Sequence, residues 1–271
     1  MPELPEVENT RRGLSRCAQR RRISALRVYE RRLRWPVARD LPRRVAGERI
    51  VRLGRRGKYL LLGLESGTLL LHLGMSGSVR AVPAGATRLA HDHFDLVLDS
   101  GLALRFNDPR RFGSLLYSAT DPRRHPLLAH LGPEPLSRAF DAGYLLRITR
   151  GRRVAVKHLL MNSRLVVGVG NIYASEALFR ARVRPQRRAG TLSPADCARL
   201  VRGVRAVLRQ AIRAGGTTLR DYRGADGLPG EFRQRLYVYE RAGKSCRRCG
   251  TPVRGLTQGQ RSTYYCPSCQ K

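Results

Sequence analysis

The first residues of the chain have the types that covalent amine chemistry needs. Pro2 follows Met1 and is itself followed by Glu3 and Glu6. Removal of Met1, which a small second residue generally permits, would leave an amine whose pKa of roughly 7.7–8.0 keeps a usable fraction neutral. Attack of that amine on an aldehyde-like carbon would give an iminium, and Glu3 is close enough to handle protons. Alternatively, Pro2 is merely tolerated and the two glutamates begin a helix.

The cysteines near the end of the chain have the spacing of a zinc site. Cys246 and Cys249 form one C-x-x-C pair, and Cys266 and Cys269 form another after sixteen intervening residues. Each pair places two thiolates on one side of a tight turn, and two pairs complete a tetrahedral shell. Four sulfur ligands leave no position for water, so the pattern predicts one structural zinc ion. A redox role is the weaker alternative, because no thioredoxin-like βαβ pattern surrounds the pairs.

Lysine is scarce, and one lysine precedes a β-prone run. Only four lysines occur, and Lys58 is the only one before Lys157. An ammonium can give up a proton at useful pH, whereas a guanidinium cannot. Lys58 is therefore a candidate for proton transfer, although a lysine at the edge of a strand is the simpler interpretation.

Two turns carry side chains that could enter a nucleic acid. Met75 lies between Gly74 and Gly77 after an apolar run, where methionine is usually core filler. Arg110 and Phe112 lie in a basic turn, and this pairing of residue types suits a wedge that separates stacked bases.

Two further motifs are weaker. His91 and His93 flank an aspartate, but two histidines without further ligands are more often hydrogen-bonding residues than a metal site. Gly168 and Gly170 lead into Asn171, a candidate helix cap, and backbone amides at such a helix start can bind phosphate.

The overall charge predicts a polyanionic partner. The chain of 271 residues has 53 Lys and Arg against 20 Asp and Glu, a formal net charge of +33. Codon bias can explain arginine over lysine but not the shortage of acids, so nucleic acid is the favoured partner. The sequence contains no apolar run long enough to predict a membrane span, and no apolar core of a signal peptide. The cysteine pattern is typical of a reducing compartment, and we expect a cytoplasmic protein.

The pattern of the remaining residues predicts a multidomain α+β protein. A helix over residues 3–20 precedes short β-prone runs, which favour an N-terminal antiparallel β-sandwich over residues 1–117. The runs are 23–29, 49–53, 58–64, 68–73, 94–98, 102–106 and 114–117, with turns at 65–67 and 99–101.

A proline- and arginine-rich linker, 118–136, separates this sandwich from a helical domain, 137–225. Helices are predicted from a cap at Ser137 through Ile148, over Val154–Met161, from a cap at Asn171 through Arg180, and from Ser193 to Arg213. Residues 237–271 are predicted to form a zinc ribbon with a β-hairpin within 258–265, which would carry Arg261. The loop Thr217–Gly230 is expected to be mobile.

The opening Pro2–Glu8 (PELPEVE), followed by Thr10–Leu14 (TRRGL), resembles the start of the formamidopyrimidine-DNA glycosylases of bacterial base-excision repair. The resemblance extends along essentially the whole chain, with mild departures at Asn9 and Gly57. It implies a monomeric, bifunctional DNA glycosylase/AP lyase in the bacterial cytoplasm, acting at the nucleoid. Its partner would be double-stranded DNA carrying an oxidised purine, such as 8-oxoguanine or a formamidopyrimidine, or an abasic site.

The resemblance also implies roles for individual residues. Pro2 attacks C1′ of a flipped nucleotide, Glu3 manages protons, and Glu6 supports the N-terminal geometry. Lys58 contacts substrate and acts in β-elimination, and Arg261 grips the phosphate of the damaged nucleotide and donates a proton in the last elimination. The implied DNA contacts are His91, Arg110, Arg152, Asn171, Met75 and Phe112. Arginine at position 152 replaces the family's usual lysine, and the Thr217–Gly230 region covers the flipped base.

Three alternatives remain at this point. A sister endonuclease VIII-like glycosylase would act on oxidised pyrimidines, although its opening usually differs after the proline–glutamate pair. A non-catalytic zinc-ribbon DNA-binding protein would share the charge and the cysteines without needing Pro2, Glu3 and Lys58. A basic RNA-binding or ribosome-associated protein would also fit the composition.

Overall fold

The computed structural model describes residues 2–217 and 232–271, which fall into two units. The first unit comprises Met1–Ala129 with Ala214–Arg233, and the second comprises His130–Arg213 with Gln234–Lys271. Each unit is described by itself. Apart from Thr217, the predicted mobile loop Thr217–Gly230 lies outside the described residues.

Two four-stranded antiparallel sheets dominate the first unit, which confirms the predicted sandwich. The strands are Ile23–Val28 (β1), Arg52–Arg56 (β2), Tyr59–Gly63 (β3), Thr68–His72 (β4), Ser78–Pro83 (β5), Asp92–Leu98 (β6), Leu102–Asn107 (β7) and Ser114–Ser118 (β8). One sheet has the order β1-β6-β7-β5 and the other the order β2-β3-β4-β8. Apolar side chains from both sheets form one buried cluster, because alternate residues of each strand point to the same face.

Short turns fix the register of these strands. Arg56 pairs with Tyr59, so Gly57 and Lys58 alone join β2 to β3. Gly57 has φ +56°, a conformation that glycine adopts at little cost. The predicted turns at 65–67 and 99–101 join β3 to β4 and β6 to β7.

The first helix, Leu4–Ala18 (α1), packs against β2, β3, β5 and β7. Leu4, Val7 and Leu14 are fully buried at helical spacing. The predicted helix over residues 3–20 is therefore present, and its buried face fixes the N-terminus of the chain against the sandwich. A short helix, Leu41–Val45 (α2), follows β1.

The largest differences from the sequence prediction concern two strands. β5 was missed, because an arginine and a terminal proline interrupt its pattern; it lies at a sheet edge, where a proline costs no ladder hydrogen bond. The run predicted over 49–53 starts later, at Arg52, which pairs with Gly63.

The region predicted as a linker contains a 3₁₀ turn, Pro122–Arg124, and one helical turn, Pro126–Ala129 (α3).

Helices form most of the second unit, as predicted. They are Ala142–Thr149 (α4), Val156–Met161 (α5), Asn171–Ala181 (α6) and Pro194–Arg213 (α7). Ser193 caps α7 as expected, because its Oγ accepts from the Asp196 N–H at 3.1 Å while Asp196 accepts from the Ser193 N–H at 3.0 Å.

Three predicted helix starts were wrong. Ser137 does not cap α4: its hydroxyl donates to the Glu134 carbonyl at 2.8 Å, and Asp141 caps the helix by accepting from the Tyr144 N–H at 2.7 Å. The helix predicted from Val154 begins at Val156, because Ala155 forms an isolated β-bridge with Arg188. Gly170, not Asn171, is the cap of α6, and Asn171 is the first helical residue.

The second unit ends in a β-hairpin, formed by Arg254–Gln258 (β9) and Arg261–Tyr265 (β10). The second strand lies where the hairpin was predicted, whereas the first strand lies before the predicted range 258–265 except for Gln258. Gly259 and Gln260 form the turn of the hairpin with φ of +53° and +59°. Among the helices of residues 2–217 and 232–271, none is both long and apolar enough to cross a membrane.

Candidate functional site

The N-terminal residues of the first unit are enclosed rather than frayed. Pro2 is buried, and Glu3 and Glu6 are 2% and 1% exposed. Glu6 Oε2 accepts from the Glu3 N–H at 2.8 Å, which forms half of a capping box with Glu3 as the N-cap of α1. Glu6 Oε1 accepts from the Thr217 N–H at 2.8 Å. Glu6 therefore fixes the backbone that follows Pro2 and leaves the Pro2–Glu3 pair in a defined position.

Lys58 lies in the two-residue turn between β2 and β3, next to the end of β4. Tyr59, the following residue, pairs with His72, and their rings are 4.7 Å apart. Burial lowers the pKa of His72 to about 4, and the positive charges of Lys58 and Arg34 add to this effect. His72 is thus neutral at physiological pH, and its Nδ1 accepts from the Gly74 N–H at 3.0 Å.

The turn that carries Met75 and the loop that carries Arg110 and Phe112 lie against each other. A Cβ atom on Gly74 would be 2.5 Å from the nitrogen of Gly113, so only glycine fits this approach. Met75 is half-buried, whereas Phe112 is 43% exposed, and the Arg110 guanidinium stacks 4.9 Å from the centre of its ring. The structure thus brings together three predicted DNA-contact side chains.

His91 lies on a neighbouring loop that the buried Arg105 side chain supports. It is exposed and has φ +68°. Buried Arg105 supports the loop by donating to the carbonyls of Ala86 and Thr87, each at 2.9 Å, and it pairs with Asp95 at 2.7 Å. The His91 carbonyl accepts from the Asp108 N–H at 3.0 Å, which places this loop beside the Arg110–Phe112 loop.

In the second unit, the four cysteines predicted as metal ligands converge. Their sulfur atoms all lie within 4.8 Å of one another, and three of the separations are 3.4, 3.5 and 4.0 Å. Zn–S bonds of about 2.3 Å in a tetrahedron require sulfur separations of about 3.8 Å. The N–H groups of Arg248 and Cys269 also point at sulfur atoms, each at 3.4 Å, as expected around thiolates. This donor set fits Zn²⁺.

The hairpin that carries Arg261 is bound to α5 and α6. Lys157 on α5 is fully buried and donates from Nζ to Thr263 Oγ1 at 2.6 Å and to the Ser262 carbonyl at 3.0 Å. Asn171 Nδ2 donates to the same Ser262 carbonyl at 3.0 Å. Arg261 itself is exposed. The structure therefore brings the predicted residues Asn171 and Arg261 to one surface of this unit.

Arg152, the remaining predicted contact, is exposed between α4 and α5, and its Nε donates to the Ile148 carbonyl at 2.7 Å.

The start of the cysteine-containing module is held by Glu176 of α6, which accepts from the N–H groups of Tyr237, Val238 and Tyr239 at 2.9–3.1 Å. Burial raises the pKa of Glu176, and these backbone hydrogen bonds oppose that effect.

Sequence reasoning missed several residues that hold the site. Asp108, Lys157 and Glu176 are buried, charged side chains, and each binds at least one partner that is more than 30 residues away along the chain. Lys157 gave the one available signal, since it is one of four lysines and lies among apolar residues at helical spacing.

Comparison with known proteins gives three matches in chain order. Residues 1–115 match the formamidopyrimidine-DNA glycosylase N-terminal domain, residues 131–223 match the formamidopyrimidine-DNA glycosylase H2TH domain, and residues 243–271 match the zinc finger found in FPG and IleRS. The formamidopyrimidine-DNA glycosylase of Thioalkalivibrio sulfidiphilus is 58% identical over 100% of both chains. The chain belongs to the formamidopyrimidine-DNA glycosylase family.

Solved structures of this family have the same fold. The MutM (FPG) protein of Thermus thermophilus superposes with a TM-score of 0.87 at 42% identity, over 99% of this chain and 98% of that one. The Lactococcus lactis FPG (MutM) in complex with Fapy-dG-containing DNA superposes with a TM-score of 0.91 at 30% identity, over 99% of this chain and 100% of that one.

Family membership confirms the predicted architecture: a β-sandwich with an N-terminal helix, a helix–two-turn–helix domain and a C-terminal zinc ribbon. It also confirms the predicted cofactor. Cys246, Cys249, Cys266 and Cys269 form the site of one structural zinc ion.

Proposed function

We propose that this chain is a bifunctional DNA glycosylase/AP lyase of base-excision repair that removes oxidised purines and then cuts the strand. The observation that carries this proposal is the buried Pro2–Glu3 pair at the start of α1, in a chain that matches the glycosylase family throughout. Double-stranded DNA with an oxidised base or an abasic site is the proposed substrate, and the net charge of +33 suits it.

The proposed reaction starts once Met1 has been removed. The Pro2 nitrogen attacks C1′ of an extruded nucleotide, the glycosidic bond breaks, and its electron pair leaves with the base, which takes up a proton. Glu3 accepts the proton that the amine loses and delivers it to O4′ as the C1′–O4′ bond breaks and the C=N bond forms. Burial of both residues favours this chemistry, because it keeps bulk water away from the iminium.

The iminium then acts as an electron sink for strand cleavage. Loss of a C2′ proton drives out the 3′ phosphate in a β-elimination, and a second, δ-elimination releases the 5′ phosphate. We assign substrate contact and proton transfer in the β-elimination to Lys58, and phosphate binding and proton donation in the second step to Arg261. A cation at each place suits the negative charge of the phosphates.

The remaining assigned residues would hold and open the duplex. Met75 enters the space that the extruded base leaves, while Arg110 faces the orphaned partner base and Phe112 wedges beside it. His91, Arg152 and Asn171 contact the DNA backbone. The zinc ion has no chemical role in this proposal and maintains the hairpin that carries Arg261.

An incision panel tests this function and its alternatives. Duplexes that carry 8-oxoguanine, an oxidised pyrimidine, an abasic site or no lesion are incubated with the zinc-loaded protein, and released base and strand cleavage are measured separately. We expect base release and cleavage with 8-oxoguanine. Preference for the oxidised pyrimidine would favour the endonuclease VIII-like alternative. Tight binding without base release, or preferential binding of structured RNA in competition, would contradict a glycosylase.

A further inference from the structure

A buried carboxylate lies where the Met75 turn meets the Arg110–Phe112 loop. Asp108 is 0% exposed. Its Oδ1 accepts from the Ser76 hydroxyl at 2.7 Å and from the Arg110 N–H at 3.3 Å, and its Oδ2 accepts from the Gly113 N–H at 2.8 Å. One side chain thus binds both segments, although Ser76 and Asp108 are 32 residues apart in the chain.

The backbones of the two segments are also in direct contact. Gly74 has φ +65°, and a Cβ atom there would lie 2.5 Å from both the Phe112 carbonyl carbon and the Gly113 nitrogen. A Cβ atom on Gly113 would lie 2.5 Å from the Phe106 ring and 2.8 Å from the His72 carbonyl oxygen. Neither segment can move far toward or across the other, so the hydrogen bonds of Asp108 act in a tightly packed environment.

The charge of Asp108 makes these hydrogen bonds strong. Within residues 2–217 and 232–271, Asp108 makes no ion pair, so its negative charge is stabilised by the Ser76 hydroxyl and the two N–H groups. Hydrogen bonds to an ionised acceptor are roughly twice as strong as neutral ones. Separating the two segments would leave a buried carboxylate with too few donors, which costs more than the loss of a neutral pair.

We propose that Asp108 is a positioning residue that couples the Met75 turn and the Arg110–Phe112 loop into a single rigid wedge. The exposed side chains of the loop would then enter the duplex together with Met75, in a fixed geometry. A rigid wedge avoids the entropy cost of ordering two separate loops on the DNA. The part of this inference that concerns DNA rests on the proposed function.

Hydrogen exchange in the free zinc-loaded protein tests the coupling without relying on activity. Ser76→Ala removes the hydroxyl that links the turn to Asp108, and Asp108→Asn places an amide N–H₂ group against backbone donors. Ser78→Ala is the matched control, because the Ser78 hydroxyl makes no hydrogen bond within the described residues. We expect Ser76→Ala to speed exchange of the amides of Asp108 and of residues 110–113 on the order of tenfold, because the loop loses one hydrogen bond to the turn. Faster exchange confined to residues 73–78 would overturn the coupling.

Incision kinetics test the consequence for DNA. A lesion base must be unstacked before it is extruded, and the wedge assists this step. An abasic site has no base to unstack, so its processing depends less on the wedge. For Ser76→Ala we expect kcat on an 8-oxoguanine duplex to fall on the order of tenfold, with a much smaller change on an abasic-site duplex and none for Ser78→Ala. Equal losses on both duplexes would overturn the positioning role. A wild-type protein that releases no base would contradict the proposed function instead, and hydrogen exchange would still decide the coupling.

Discussion

Lys157 Nζ lies 2.6 Å from Thr263 Oγ1, beneath the strand that begins with Arg261. The lysine is fully buried and also donates to the Ser262 carbonyl at 3.0 Å. A buried ammonium is stable only where oxygen atoms replace its hydration. This arrangement therefore fixes the zinc hairpin to α5 and supports the strand that begins with the exposed residue Arg261.

Replacing Lys157 with methionine should loosen that hairpin. Methionine keeps most of the side-chain volume but leaves the Ser262 carbonyl and the Thr263 hydroxyl with fewer donors, at a cost of about 1–3 kcal/mol in the free energy of unfolding. We expect weaker binding to lesion DNA as well. Urea unfolding and fluorescence anisotropy measure the two effects. The control is Lys244→Met, which removes an exposed lysine. Equal effects of the two substitutions would contradict the anchoring of the hairpin by Lys157.

Zinc removal should abolish the function of the same hairpin. The 29 residues of the matched zinc finger, 243–271, offer too small an apolar core to fold stably without the metal. We expect one zinc ion per chain by metal analysis, and loss of DNA binding when a chelator removes it. Cys249→Ser should behave in the same way. Cys197→Ser removes a buried cysteine outside the cluster and should keep the zinc. Full incision by the zinc-free protein would rule out the structural role.

The neutral state of His72 should make stability depend on pH. Burial, with the charges of Lys58 and Arg34, lowers its pKa from 6.5 to about 4, while the negative charge of Asp108 raises it. Between pH 4 and 6.5 the unfolded chain binds a proton here that the folded chain does not, so stability rises with pH in that window. The difference is no more than about 3.5 kcal/mol, since one pKa unit corresponds to about 1.4 kcal/mol.

Substitution of His72 by asparagine isolates the contribution of this histidine to the pH dependence of stability. The asparagine carbonyl can accept from the Gly74 N–H in place of Nδ1 but cannot titrate. We expect the free energy of unfolding of His72→Asn to fall less than that of the wild type between about pH 7 and pH 5, measured with urea. His130→Asn, at an exposed histidine, is the control. If the free energies of unfolding of the wild type and His72→Asn changed in parallel with pH, the titrating proton would bind at another residue.

Glu6 should support catalysis without touching the substrate. Its carboxylate accepts from the N–H groups of Glu3 and Thr217, both at 2.8 Å. Glu6→Ala leaves both donors unsatisfied, so we expect a loss of about 1–3 kcal/mol in stability per buried donor and slower base release. Glu65→Ala removes a half-exposed ion pair and should cost less than about 1 kcal/mol. Unchanged single-turnover base release in Glu6→Ala would contradict the positioning of Pro2 by this contact.

Local patterns made part of the site predictable. The prediction of the zinc site required only that the two turns with the C-x-x-C pairs lie next to each other, and their four sulfur atoms do converge. A hairpin before Cys266 was predicted, although its first strand, Arg254–Gln258, lies mostly before the predicted range 258–265. Helix caps were less predictable, because Asp141 and Ser137 are both good capping residues and tertiary packing decided between them.

Contacts between distant residues were not predictable in this way. Lys157 and Thr263 are 106 residues apart, and Glu6 and Thr217 are 211 apart. Each pair combines residue types that are common in solvated positions, and no spacing in the sequence indicates that they meet. Buried polar residues of this kind become apparent only once the fold has placed the donor opposite the acceptor.

Borohydride trapping tests whether the Pro2 amine forms a covalent iminium with damaged DNA. The zinc-loaded protein is incubated with an 8-oxoguanine duplex and borohydride, and the crosslinked peptide is identified by mass spectrometry. We predict a crosslink on Pro2 that disappears when an extra residue precedes Pro2. A crosslink on Lys58, or no crosslink despite tight DNA binding, would contradict iminium formation by Pro2.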